Sequence, residues 1–90
     1  MNNTDFEAFK KKLEEQLTFP SVYMFKFIVL ANNQKIALIE SLFSEEADIH
    51  QKESSQGKYM SITAKVVMMS ADEIIEIYKK ALAVEGVIAL

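Results

Sequence analysis

Lys58 to Met68 reads as a strand, because from Tyr59 to Lys65 the chain changes character at every residue. Met60, Ile62 and Ala64 are apolar, Tyr59, Ser61, Thr63 and Lys65 stand between them, and Val66 and Met68 continue the apolar series. A period of two marks a strand with one buried and one solvent face. Such a strand needs neighbours in a sheet and a second layer over its apolar face.

The rest of the chain supplies both. Thr4 with Glu7 reads as a capping box, and Phe6, Phe9, Leu13 and Leu17 recur at near-helical spacing, which predicts a helix from about Asp5 to Leu17. Pro20 prevents its continuation. Val22 to Leu30 is rich in aromatic and β-branched residues and predicts a strand. Tyr23, Phe25, Phe27 and Val29 share one face; Val22, Met24, Lys26 and Ile28 share the other. Lys26 identifies the open face, because an unpaired lysine is costly to bury.

Asn32 or Asn33 caps a second helix whose stripe is Ile36, Ile39, Leu42 and Phe43. Ala47 to Glu53 is a weaker strand, and its charged residues suit a sheet edge. Ser54-Ser55-Gln56-Gly57 forms the turn into the alternating strand. Ser70 with Glu73 is another capping box, opening a helix with the stripe Ile74, Ile75, Tyr78 and Leu82. Gly86 stops this helix, and Val87 to Leu90 forms a last short strand.

The order is α-βαββαβ. Right-handed crossovers turn βαββαβ into an α+β, ferredoxin-like sandwich. It is a four-stranded antiparallel sheet with two helices on one face and an extra N-terminal helix. The first and third strands, the longest and most apolar, take the centre. Residues 1–18 form the helical extension and residues 19–90 the ferredoxin-like domain. The core is predicted to contain Phe25, Phe27, Ile39, Ile62, Val66, Ile75 and Tyr78. The opposite sheet face is open, or is covered by the N-terminal helix or a partner.

Ninety residues with 50% hydrophobic and 26% charged side chains suit one globular domain. The chain has no cysteine, which excludes disulfides, thiolate zinc sites and thiol catalysis and fits a reducing, cytoplasmic compartment. The polar N-terminus is unlike a signal peptide, and the longest apolar stretch, Val22 to Ala31, is interrupted by Lys26 and too short to span a membrane. A net charge of −3 gives no general attraction to nucleic acid or anionic membrane.

Catalytic constellations are missing from the pattern. His50 is the sole histidine and has only Asp48 and Glu53 near it at strand spacing. The adjacent acids Glu14-Glu15, Glu45-Glu46 and Asp72-Glu73 point apart on helices and read as solvated charge. Gly57-Lys58 lacks the upstream glycine and following hydroxyl of a phosphate loop. Ser54 and Ser55 have no base to activate them and read as hydrogen-bonders in the turn. No enzyme, metal site or cofactor is expected.

One further pattern is more specific. Phe19-Pro20, Lys26, the run Ser54-Ser55-Gln56-Gly57-Lys58-Tyr59 with Ser61 and Thr63, Ile77-Tyr78, and the terminal Val87 and Leu90 together resemble the YbeD-like family of small bacterial proteins of unknown function. The Ser-Ser-x-Gly-x-Tyr turn carries most of the resemblance, which omits the N-terminal helix. It implies a ferredoxin-like fold similar to the ACT regulatory domains, with no established activity. Val29 stands where the family has a glycine after the first strand. In ACT-like domains that glycine lets a ligand approach the backbone, so the valine argues against an amino-acid site there.

The strand parities assign Lys26, Lys52 and Lys65, with Tyr59, Ser61 and Thr63, to the open face, and Asp48 as its acid. These six residues are the candidate binding set, with Ser54, Ser55 and Gly57 as the turn beside them. The function expected is a non-catalytic regulatory or adaptor domain that binds a partner protein or a small anionic metabolite. An RNA-binding module on the open face is the alternative. It is disfavoured because such modules stack bases on two or three outward aromatics, and only Tyr59 points out. The uncharged strand Val87 to Leu90, or the open face, is a candidate surface for a homodimer.

Overall fold

In a computed structural model of the chain, residues 3–90 are described, with side chains from Asp5 onward. The elements are α1 (Asn3–Gln16), β1 (Ser21–Leu30), α2 (Asn33–Glu40), β2 (Asp48–Glu53), β3 (Tyr59–Met68), α3 (Ala71–Leu82) and β4 (Ile88–Ala89). All pairings are antiparallel and the sheet order is β2-β3-β1-β4. This is the ferredoxin-like α+β arrangement, with the two long apolar strands at the centre.

Register follows from the pleat. β1 and β3 pair along their whole lengths, from Ser21 opposite Met68 to Leu30 opposite Tyr59. Phe25 thus sits opposite Ala64 and Phe27 opposite Ile62, so large and small residues alternate across the strand pair on one face. All four are fully buried, as are Val29, Ile39 and Ile74. Each predicted core residue is buried. A one-residue slip would carry this whole set into water and bring Lys26 and Lys65 inside, which is what fixes the register.

The helix caps explain where the covering layer starts. The Asn32 side chain accepts the Lys35 N–H at 3.0 Å, opening α2. Ser70 Oγ accepts the Glu73 N–H at 3.2 Å, opening α3. The Glu73 carboxylate reaches back to the Met69 N–H at 2.7 Å, one residue before the cap, so the box is widened by one position. The Thr4 side chain, and with it the proposed first capping box, lies outside the described residues.

α1 lies on the helical side. Phe6 and Leu13 belong to the central core, the Phe9 ring meets the Tyr78 ring edge-on at 5.4 Å, and Lys10 pairs with Asp72 at 2.8 Å. The hydrogen bond to Asp72, with its negative charge, raises the Lys10 pKa. The N-terminal stripe therefore packs beside α3 and leaves the other sheet face uncovered.

Several boundaries differ from expectation. α2 ends at Glu40, and Leu42 and Phe43 extend its apolar stripe from a following turn, where Phe43 packs 5.3 Å from Phe25. α3 ends at Leu82, before Gly86. The Val84 N–H bonds to Ala81 and the Val87 N–H to Val84, so the chain leaves the helix through tight turns, and Gly86 supplies the positive φ of +81° that follows. β4 contracts to two residues, Ile88 opposite Ile28 and Ala89 opposite Phe27, with the Leu90 N–H donating to the Lys26 carbonyl at 2.9 Å. Val29 is inside β1 and fully buried against the helices, so its position is a core position.

Candidate functional site

The pleat sorts the open face into rows that run across the strands. Lys52, Ser61, Ile28 and Ile88 form one row. His50, Thr63 and Lys26 form the next, continued by Leu90 through its bond to Lys26. Asp48, Lys65 and Met24 form the third. Tyr59 stands at the end of β3, opposite Leu30. The six candidate residues are thus on one face and in adjoining rows. Lys26, Lys52, Lys65 and Tyr59 are exposed, and Ser61 and Thr63 are half-buried between them.

The charges do not cancel. Asp48 Oδ1 lies 3.0 Å from His50 Nε2, so the acid of these rows is engaged with the imidazole. No ion pair among the described residues involves Lys26, Lys52 or Lys65. Lys58 adds a fourth ammonium, 5.7 Å from the centre of the Tyr59 ring. Lys26, Lys52, Glu53, Tyr59, Ser61, Ser54 and Leu90 surround a hollow of about 310 Å³, in which the Glu53 carboxylate offsets part of the lysine charge.

Apolar side chains frame the basic rows. Val22, Met24 and Val67 are exposed at one end and Ile88 and Leu90 at the other, with 54–66% of their surface in solvent. Among the described residues nothing covers them.

The turn residues hold the hollow's edge. The Ser54 N–H donates to the Tyr59 carbonyl, the Ser54 carbonyl accepts the Gly57 N–H, and the Ser54 Oγ accepts the Tyr59 N–H at 3.1 Å. Gly57 has φ of +69°, a conformation other residues adopt rarely. Ser55 is exposed and makes no such bond. The Lys58 carbonyl accepts the Ala31 N–H at 2.9 Å, which ties the hairpin to the end of β1.

Sequence reasoning missed a pair of hydroxyls on the other side of the sheet. Tyr23 and Tyr78 meet at 3.0 Å beneath Phe9. The available signal was Tyr23 itself, an inward strand position occupied by a ring whose oxygen needs a partner. Among the described residues no cluster of three potential metal ligands occurs. No helix among the described residues is long and apolar enough to cross a membrane.

The family described as "Protein of unknown function (DUF493)" matches residues 14–90. The chain belongs to this family. It is 31% identical over 80 residues to a UPF0250 protein of Shewanella halifaxensis, covering 84% of this chain and 91% of that one. A UPF0250 protein of Shewanella putrefaciens shows the same identity and coverage. One from Shewanella amazonensis is 30% identical over 91 residues, covering 97% of this chain and 96% of that one. The YbeD-like resemblance of the Ser54–Tyr59 turn is to the same group. No solved structure gives a significant match. The DUF493 match takes in the whole sheet and only the last turn of α1.

Proposed function

We propose that this DUF493 protein is a non-catalytic regulatory or adaptor domain whose open sheet face docks an acidic partner protein. The observation that carries the reading is the set of three unpaired lysines, Lys26, Lys52 and Lys65, framed at both ends by exposed apolar side chains. Carboxylates of a partner would meet the lysines, and its apolar groups would meet Met24, Val67 and Leu90. Strand rise and spacing give the face an area of about 450 Å². A standard interface takes about 800 Å² from each partner, so docking by this face alone is transient and salt-sensitive.

The hollow between Lys26, Lys52 and Tyr59 favours a second reading, a small anionic metabolite held by two ammonium groups and the hydroxyls of Ser61 and Ser54. The RNA reading has less support, because Tyr23, Phe25 and Phe27 face the helices and leave Tyr59 as the one outward ring of β1 and β3. A second copy is a further occupant, through the open face or the uncharged end at Ile88.

The test compares wild type with Lys26→Gln/Lys65→Gln. A protein partner appears in a pull-down at low salt, is lost at high salt and is lost with the variant. A metabolite raises the melting temperature of the wild type through mass action and not that of the variant. Light scattering at micromolar concentration reads self-association. Retention by the variant of every partner and every ligand shift excludes the open face as the binding surface.

A further inference from the structure

The opposite electrostatic character appears at the far end of β3. A cavity of about 510 Å³ opens there between the turn after α2 and the first two turns of α3. Leu42 and Phe43 form one wall, Ile77 the other, and Val66 to Met69 the floor. Met69 and Val67 are exposed, at 60% and 54%. Methionine has an unbranched, polarisable side chain that adapts to varied apolar shapes, which suits Met68 and Met69 to a surface that accepts a foreign group.

The rim is acidic. Asp72, Glu73 and Glu76 line the cavity along α3, spaced so that Asp72 and Glu76 share a face of the helix and Glu73 stands above Ile77. No lysine or arginine is among the lining residues. Ser44, on the opposite wall, is followed by Glu45 and Glu46, both exposed. The carboxylates are only partly engaged within the chain. Asp72 pairs with Lys10, Glu73 caps its own helix, and Glu76 is 3.9 Å from Lys79, a distance of weak attraction in water.

We propose that this cavity docks a segment of a partner protein in which an apolar side chain is flanked by lysine or arginine. The apolar group fills the space between Phe43, Met68, Met69 and Ile77, and the flanking cations meet the acidic rim. The charge complementarity selects this occupant over an acidic segment, which the rim repels, and over an uncharged one, which gains nothing from it. The domain then presents two docking surfaces of opposite sign, the basic sheet face and this acidic cavity, which adjoin at Val67 and differ in every charged residue.

The test uses the full chain, isotope-labelled at backbone amides and methionine methyls, titrated with the peptide Lys-Lys-Leu-Phe-Lys-Lys and with Glu-Glu-Leu-Phe-Glu-Glu. The expected result is a saturable shift of Met68, Met69, Ser70 and Ile77 with the basic peptide and none with the acidic one. Met69→Ala, at an exposed position that leaves the core intact, is expected to weaken binding about tenfold. Glu76→Lys is expected to weaken it further, with the spectrum of the free protein otherwise unchanged. No shift at millimolar basic peptide, equal shifts with both peptides, or shifts centred on the open sheet face each overturn the proposal. So does a concentration dependence of the Met69 resonance in the free protein, which would make a second copy the occupant. The Lys26→Gln/Lys65→Gln variant separates this site from the sheet face, because it is expected to bind the basic peptide undiminished.

Discussion

The hydroxyl of Tyr23 on β1 lies 3.0 Å from the hydroxyl of Tyr78 on α3, and this is the one side-chain hydrogen bond found between sheet and α3 among the described residues. Burial first, and then the bond to Tyr23, raise the Tyr78 pKa well above its ordinary value.

A pH dependence follows. The raised value means that the folded chain holds the Tyr78 proton where the unfolded chain releases it. The stabilisation is full below the unfolded value of about 10 and is lost as pH rises through the folded value. Denaturant midpoints for wild type are expected to fall above about pH 10 more steeply than those of Tyr78→Phe. At neutral pH the phenylalanine leaves Tyr23 without its partner and is expected to cost about 1 kcal/mol. Equal alkaline slopes for the two proteins would show that Tyr78 titrates normally.

Ile62 tests the register. It is fully buried opposite Phe27, and Ile62→Ala is expected to lose about 2–5 kcal/mol in urea denaturation. A loss below about 0.5 kcal/mol, the range of surface changes, would place Ile62 on the solvent face.

Leu13 tests whether α1 is integral. It is 5% exposed and packs in the common core, so Leu13→Ala is expected to cost about 2–5 kcal/mol. Near-wild-type stability would make residues 1–18 an appended helix on a self-sufficient domain of residues 19–90.

The open-face lysines make the reverse case. Lys26 and Lys65 are exposed and unpaired, so replacing both with glutamine is expected to change stability by no more than about 0.5 kcal/mol each. A large loss in thermal melting would reveal a structural duty for these side chains and would disqualify the variant as a probe of binding.

What the sequence disclosed depended on period. The alternation around Ile62 and Lys65 settled parity, and parity with Lys26 placed the candidate lysines on one face. The Ser70 cap was legible because its chemistry is local, and so was the second cap down to a choice between Asn32 and Asn33, which the structure resolves to Asn32. The end of the chain was less so. Gly86 suggested a helix stop, but the turn set by Ala81, Val84 and Val87 acts four residues earlier, and its hydrogen bonds leave no composition signal. The acidic cavity was invisible because it joins Phe43 to Met69 and Ile77 across the fold. Its parts read separately as helix stripe, apolar strand face and solvated charge.

The brevity of β4 gives β1 two environments. Lys26 directs its carbonyl toward β4, and by the alternation of the ladder Val22 and Met24 direct their backbone groups to the same side, where no strand of the described residues reaches them. β1 is therefore interior to the sheet at Phe27 and Ile28 and a rim at Val22 and Met24. Amide exchange should divide the strand accordingly. The Tyr23 and Phe25 amides, bonded to β3, are expected to be protected, while those of Val22 and Met24 exchange with solvent at rates close to an open edge. Slow exchange at Met24 in dilute protein would mean that something already occupies this free length of backbone.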